Sequence, residues 1–180
     1  MNGLLGDSLF DNVLDIIKKW NPKEAYKGEL KYRDDLLDFI RKELNRPKGM
    51  FNPYPQEQIV IKKEDGRGLA DIAINRRIGI ELKLNLKGKS QRNRLVGQID
   101  DFLRDYKKLI VVLCGNTNTE ELEELKRKAE EISRPVGFGL EESKKVVVIT
   151  KKHNENKENK KTSRGGSFFN LEPPKIEFKW

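Results

Sequence analysis

The chain has 180 residues, with 37 Lys and Arg against 29 Asp and Glu, a net charge of +8 and a pI near 9.4. One domain with extensions and a real core fits that length, and the excess positive charge makes a polyanion the expected partner, nucleic acid ahead of an anionic membrane. No run approaches the roughly 18 apolar residues of a membrane span, and MNGLLGDSLF lacks the basic start and apolar core of a secretory signal, so a soluble, intracellular protein without a membrane partner is expected, cytoplasmic in a prokaryote or virus.

Residues 7–20, DSLFDNVLDIIKKW, set Leu9, Val13, Ile16, Ile17 and Trp20 at helical spacing until Asn21-Pro22 stops them. This amphipathic helix forms an N-terminal extension over 1–22, serving core packing or dimerisation. The core follows over 23–150. A second helix, about 28–45, carries Leu30, Leu36, Leu37, Ile40 and Leu44 inward and ends before Pro47 and Gly49; the loop RPKGMFNPYPQ comes next. The period then changes. QIVIKKE, LADIAI and IGIELKLNL read as three antiparallel strands with turns at EDGRG and NRR. Helical spacing returns over 90–107 through Leu95, Ile99, Phe102, Leu103 and Tyr106. LIVVLCG is a buried strand parallel to a neighbour, TEELEELKRKAEEI a surface helix with Glu/Lys pairs, and SKKVVVIT a last core strand.

Residues 151–166 open with KKHNENKENKKTSR, six basic and two acidic side chains without an apolar residue, and read as a basic disordered linker. The tail, 167–180, is aromatic, and Ile176, Phe178 and Trp180 alternate as in a strand. It docks on its own sheet or recruits a protein partner by strand addition.

Chemistry concentrates in GLADIAINRRIGIELKLNL. Asp71, Glu81 and Lys83 lie inside runs that should be buried, where charged groups are almost never left unpaired. Alternation puts Glu81 and Lys83 on one side of their strand, with Ile80 and Leu82 on the other. A hairpin about Asn75-Arg76-Arg77 pairs positions summing to about 152 and brings Asp71 opposite Glu81. Two carboxylates in so small a volume call for a cation between them. Mg²⁺ suits this pair, with the Leu82 carbonyl as a further ligand and waters completing the octahedron. Lys83 is placed to hold or deprotonate a water, or to neutralise charge on a phosphodiester in its transition state. A single Cys114 and a single His153 exclude Cys/His zinc sites, Ser-His-Asp triads and Cys-His dyads; they read as a buried small hydrophobe and a tail residue. A bare Glu81–Lys83 ion pair is the competing structural reading. Lys87, Lys89, Arg92 and Arg94 follow the acids without an intervening carboxylate, either as a phosphate-contacting strip or as a solubilising face.

Asp71, nine intervening residues and then Glu81-Leu82-Lys83, with the acids on adjacent strands, resemble the PD-(D/E)xK nuclease superfamily. Ala70 stands where that motif has its proline, a position the superfamily dispenses with. The resemblance implies a restriction-endonuclease-like α/β fold, with an αβββαβ core whose mixed central sheet is flanked by helices, an order the elements give over 28–114. It implies a Mg²⁺-dependent nuclease, with Mn²⁺ able to substitute, that hydrolyses nucleic-acid phosphodiesters, DNA favoured. Asp71 and Glu81 would hold the metal and Lys83 would position or activate water. It further implies an acid on the first core helix, best matched by Glu29, which shares a face with Leu36 and Ile40; Asp34 and Asp35 are runners-up. Glu29 would act as ligand or orienter. A glutamine on the following helix matches Gln98, in line with Gln91 and Arg94, touching substrate or water at the metal. A non-catalytic module that keeps the fold to bind nucleic acid or a partner is the alternative.

Overall fold

The computed structural model describes residues 3–46, 59–63, 70–134 and 144–152. Its elements run α1 (Gly3–Lys19), α2 (Glu29–Leu44), β1 (Ile61–Lys63), β2 (Ile72–Ile74), β3 (Ile78–Leu84), α3 (Lys89–Asp105), β4 (Lys108–Cys114), α4 (Thr119–Ser133) and β5 (Lys145–Lys151). The five strands form one mixed sheet in the order β1-β2-β3-β4-β5. β1, β2 and β3 are antiparallel, and β3, β4 and β5 run parallel through the crossover helices α3 and α4.

Strand alternation sorts the core into two layers. Ile72, Ile74, Ile78, Ile80, Leu82, Ile110 and Val112 turn to one face, where Phe10, Val13 and Ile17 of α1, Trp20 just after it, and Leu36 and Ile40 of α2 cover them. Ala73, Leu109, Val111 and Leu113 turn to the other, under Leu95, Ile99 and Phe102 of α3 and Leu125 and Ala129 of α4. The N-terminal helix therefore belongs to the same core as α2 and the sheet. Gly79 lies beneath the exit of α3, where an added Cβ would sit 2.9 Å from Leu109 and 3.0 Å from Tyr106. Among the described residues no helix is long and apolar enough to cross a membrane.

The β2–β3 pairs Ile72↔Ile80, Ala73↔Gly79 and Ile74↔Ile78 have the expected register. Four expectations are corrected. Leu30 is 63% exposed although Leu37, two turns further along the same line of α2, is buried, so the apolar period of the helix does not carry its covering into the first turn. β1 spans only Ile61–Lys63 among the described residues, and α1 begins at Gly3 rather than at residue 7. Lys151 belongs to the last strand instead of the linker: its buried Nζ donates to the carbonyls of Lys18 and Trp20, both at 2.6 Å. The EDGRG turn, most of the loop before β1, His153, the rest of the linker and the aromatic tail lie outside the described residues.

Candidate active site

β2 and β3 are paired only as far as the Ile72↔Ile80 rung, whereas β3 continues to Leu84 against β4. Beyond Ile80, the β2-side edge of β3 therefore carries backbone groups without a strand partner, and buried N–H groups must find one elsewhere. Carboxylates supply it. Asp71, immediately before β2, accepts the Leu82 N–H at 2.8 Å on Oδ2, and Glu29, the first residue of α2, accepts the Leu84 N–H at 2.9 Å on Oε1. The N–H and C=O of one strand residue project to the same edge, so the Leu82 carbonyl faces the side from which Asp71 approaches.

Extending the register by one rung puts Asp71 opposite Glu81. Glu81 is 3% exposed, and its Oε1 lies 2.8 Å from the Lys83 ammonium on the same face of the strand. Glu29 Oε2 approaches that ammonium to 3.8 Å. Burial, reinforced by the Asp71 charge, pushes the Glu81 carboxyl up to about 7 despite Lys83. Burial also raises Asp71; Glu29 adds to this, while the Leu82 N–H, Lys83 and Arg33 oppose it. For Lys83, burial works toward the neutral amine, but Glu81, Glu29 and Asp71 together outweigh it and hold the ammonium above its ordinary value.

A cleft of about 150 Å³ opens beside the lysine, lined by Glu29, Lys83, Leu84, Gln91, Arg94 and Gln98 together with Leu86. Residues expected from the sequence to share a site thus meet there: Glu29 from α2, Lys83 from β3, and Gln91, Arg94 and Gln98 along one line of α3. Gln91 has a local task as well, its Oε1 accepting the Lys87 N–H at 2.9 Å to close the helix N-terminus. Lys87 and Lys89 are exposed at that same end. Arg92 is committed elsewhere. Its Nη1 lies 3.0 Å from Glu121 Oε2, an ion contact between α3 and α4 whose angle falls short of an aligned hydrogen bond. Cys114 is buried, and burial pushes its thiol up to about 12, which leaves it inert. Of the other helix acids, Asp34 pairs with Arg33 at 3.1 Å and Lys63 at 2.9 Å, and Asp35 with Lys23 at 2.9 Å.

Three residues around the site are not apparent from the spacing of acids alone. Arg33, 6% exposed, sits one turn after Glu29 on α2 and acts on Asp71 electrostatically; the i, i+4 interval is the signal that marks it. Asn85 and Gly115 fix the chain between Leu84 and Leu86, which line the cleft. Asn85 holds φ 56 while its Oδ1 accepts the Asn116 N–H at 2.8 Å, and Gly115, at φ 74, leaves that oxygen the space where a Cβ would lie 2.5 Å away.

The donor chemistry suits a hard divalent cation. Asp71 and Glu81 offer oxygen, their mutual repulsion is relieved by positive charge, and Mg²⁺ uses one or two carboxylates with several waters. Among the described residues no three His, Cys, Asp or Glu side chains are grouped as an all-protein cage. Comparison with protein-family models, curated proteins and solved structures finds no match to this chain.

Proposed function

We propose that the protein is a Mg²⁺-dependent nuclease that hydrolyses nucleic-acid phosphodiesters, DNA favoured, with a site of the PD-(D/E)xK kind on a restriction-endonuclease-like core. The observation that carries this reading is the buried Glu81 carboxylate, one rung from the end of a hairpin, facing Asp71 and touching Lys83, which lines the cleft with Glu29, Arg94 and Gln98. A structural reading accounts for Glu81 by its ion pair with Lys83 and for Asp71 by the Leu82 N–H it accepts, but not for placing the two carboxylates where each raises the cost of ionising the other. Active sites are where such opposed charges collect.

Asp71 and Glu81 would hold the metal, with the Leu82 carbonyl alongside. Bound there, Mg²⁺ supplies Lewis-acid stabilisation of the phosphoryl oxygens and an activated water. Lys83, kept protonated by its three acidic neighbours, orients that water and offsets charge building on the phosphodiester. Glu29 fixes the end of β3 through Leu84 and helps to place the lysine. Gln98 and Arg94 present a hydrogen-bonding and a cationic group to the nucleic acid.

The test is cleavage of a labelled panel of supercoiled plasmid, linear duplex, single strand and four-way junction, by wild type and Glu81→Ala, with Mg²⁺, Mn²⁺ or EDTA. Cutting that needs the metal and vanishes in the variant is expected. Wild type that binds the panel without cutting, and Glu81→Ala that binds equally well, would instead support a non-catalytic module in which Glu81 and Lys83 only neutralise each other.

A further inference from the structure

The β2–β3 turn is built at a conformational cost. Arg77 N–H donates to the Ile74 carbonyl at 3.0 Å, and both central residues are left-handed, Asn75 at φ 50 and Arg76 at φ 52, as a type I′ turn requires. Asparagine tolerates this, and here it is locked: its Oδ1 accepts the Val60 N–H at 2.8 Å and its own N–H donates to the Val60 carbonyl at 2.9 Å. Arginine at the second position, where glycine is strongly favoured, contributes nothing to the turn. A residue held against backbone preference points to what its side chain supplies.

That side chain borders an open cavity of about 300 Å³ lined by Val60, Lys62, Ala73, Asn75 and Arg76. Lys62 pairs across the sheet with Ala73, and Ala73 with Gly79, so Lys62 shares the face that carries Asp71 and Glu81. Its neighbour Lys63, on the opposite face, is neutralised by Asp34 at 2.9 Å. Among the described residues no carboxylate pairs with Lys62 or Arg76, and both are exposed. Strand geometry places the Lys62 rung about 7 Å along the sheet from the Asp71–Glu81 rung and the turn about 16 Å from it. At about 3.4 Å of helix rise per nucleotide, this is a reach of a few nucleotides.

We propose that this pocket is a second, metal-independent contact for the phosphodiester backbone of DNA lying across the hairpin, with Lys62 and Arg76 holding phosphate and the half-exposed Val60 packing against sugar. The assignment rests on the nuclease reading for the identity of the polyanion and extends its groove to the side opposite α3. It explains why the turn keeps an arginine and why only the active-site face of β1 carries an uncompensated lysine.

The experiment measures binding of a labelled duplex of about 20 base pairs in EDTA, as a function of salt, for the full chain and for Arg76→Gly and Lys62→Gln. Losing one phosphate contact should flatten the slope of log K against log salt by about 0.9, which is about eightfold in affinity at 0.1 M. Arg76→Gly and Lys62→Gln should each show that loss. Because glycine suits the turn better, Arg76→Gly should unfold no earlier than wild type on heating, so weak binding cannot be assigned to misfolding. Wild-type affinity and slope in both basic-residue variants overturn the proposal. If wild type cuts the panel in Mg²⁺ under that outcome, the contact falls and the nuclease stands. If the slopes flatten as expected but wild type never cuts, the nuclease falls and the contact stands.

Discussion

Glu81 concentrates the conflict between stability and chemistry in a single carboxyl. With its folded value near 7 against an ordinary 4.5, the native state binds more protons than the unfolded chain between those pH values. The stability this contributes is fully present below about pH 4.5 and is lost as pH rises through 7. Glu81→Gln removes the titration while keeping shape and a hydrogen-bonding end. In urea unfolding with EDTA, the variant should therefore exceed wild type by roughly 1–3 kcal/mol at pH 8, with the gap shrinking toward pH 5. The same variant should fail to cut nucleic acid. A difference independent of pH would mean that the Glu81 charge is already compensated by Lys83, and the case for a waiting cation would weaken.

Among the elements, the β2–β3 hairpin was the most legible, since alternating apolar residues around Asn-Arg-Arg admit one register that buries Ile72, Ile74, Ile78 and Ile80 together. That register in turn located Asp71 against Glu81, and helical spacing put Gln91, Arg94 and Gln98 on one line. Features decided by tertiary partners were not legible. Leu30 obeys the apolar period of α2 yet faces out, Arg92 belongs by sequence to a basic strip yet pairs with Glu121, and Lys151 reads as the first residue of a charged run yet ends a strand. For Lys151 the hidden partner is the C-terminus of α1. Its ammonium meets the Lys18 and Trp20 carbonyls, groups that a helix end leaves without intrahelical donors and whose partial negative charge favours a cation. Burial pulls this amine below its ordinary value, but two short bonds keep a donor there. Lys151→Met should fill the same space, strand both carbonyls and lower stability by about 2 kcal/mol in chemical denaturation. Unchanged stability would show that water replaces the ammonium and that α1 is held to the sheet by its apolar face alone.

At the scale of the molecule, the two faces of the sheet divide the labour. α1 and α2 seal one with aliphatic and aromatic packing, while α3 and α4 cover the β4 side of the other; Lys62 and Arg76 stand on that face toward the β2–β3 turn, and the cleft opens beside Lys83 toward the opposite end of β3. The acids therefore sit inside a positive surround on a chain of net charge +8, an arrangement that draws a polyanion toward the place where a divalent cation would be held. Because Asp71 and Glu81 face one another only when β2 and β3 are paired, a metal that binds them stabilises the entire fold by mass action. With a dissociation constant near 1 mM, 10 mM Mg²⁺ would contribute about 1.4 kcal/mol, which raises the melting temperature of a chain this size by about 3–6 °C. The comparison needs NaCl at matched ionic strength, since screening of the net positive charge also favours the compact state. Asp71→Asn combined with Glu81→Gln should abolish the Mg²⁺-specific rise and leave the NaCl response intact. A rise of equal size in the double variant would place the bound cation elsewhere on the protein, and Asp71 and Glu81 would lose their assigned role.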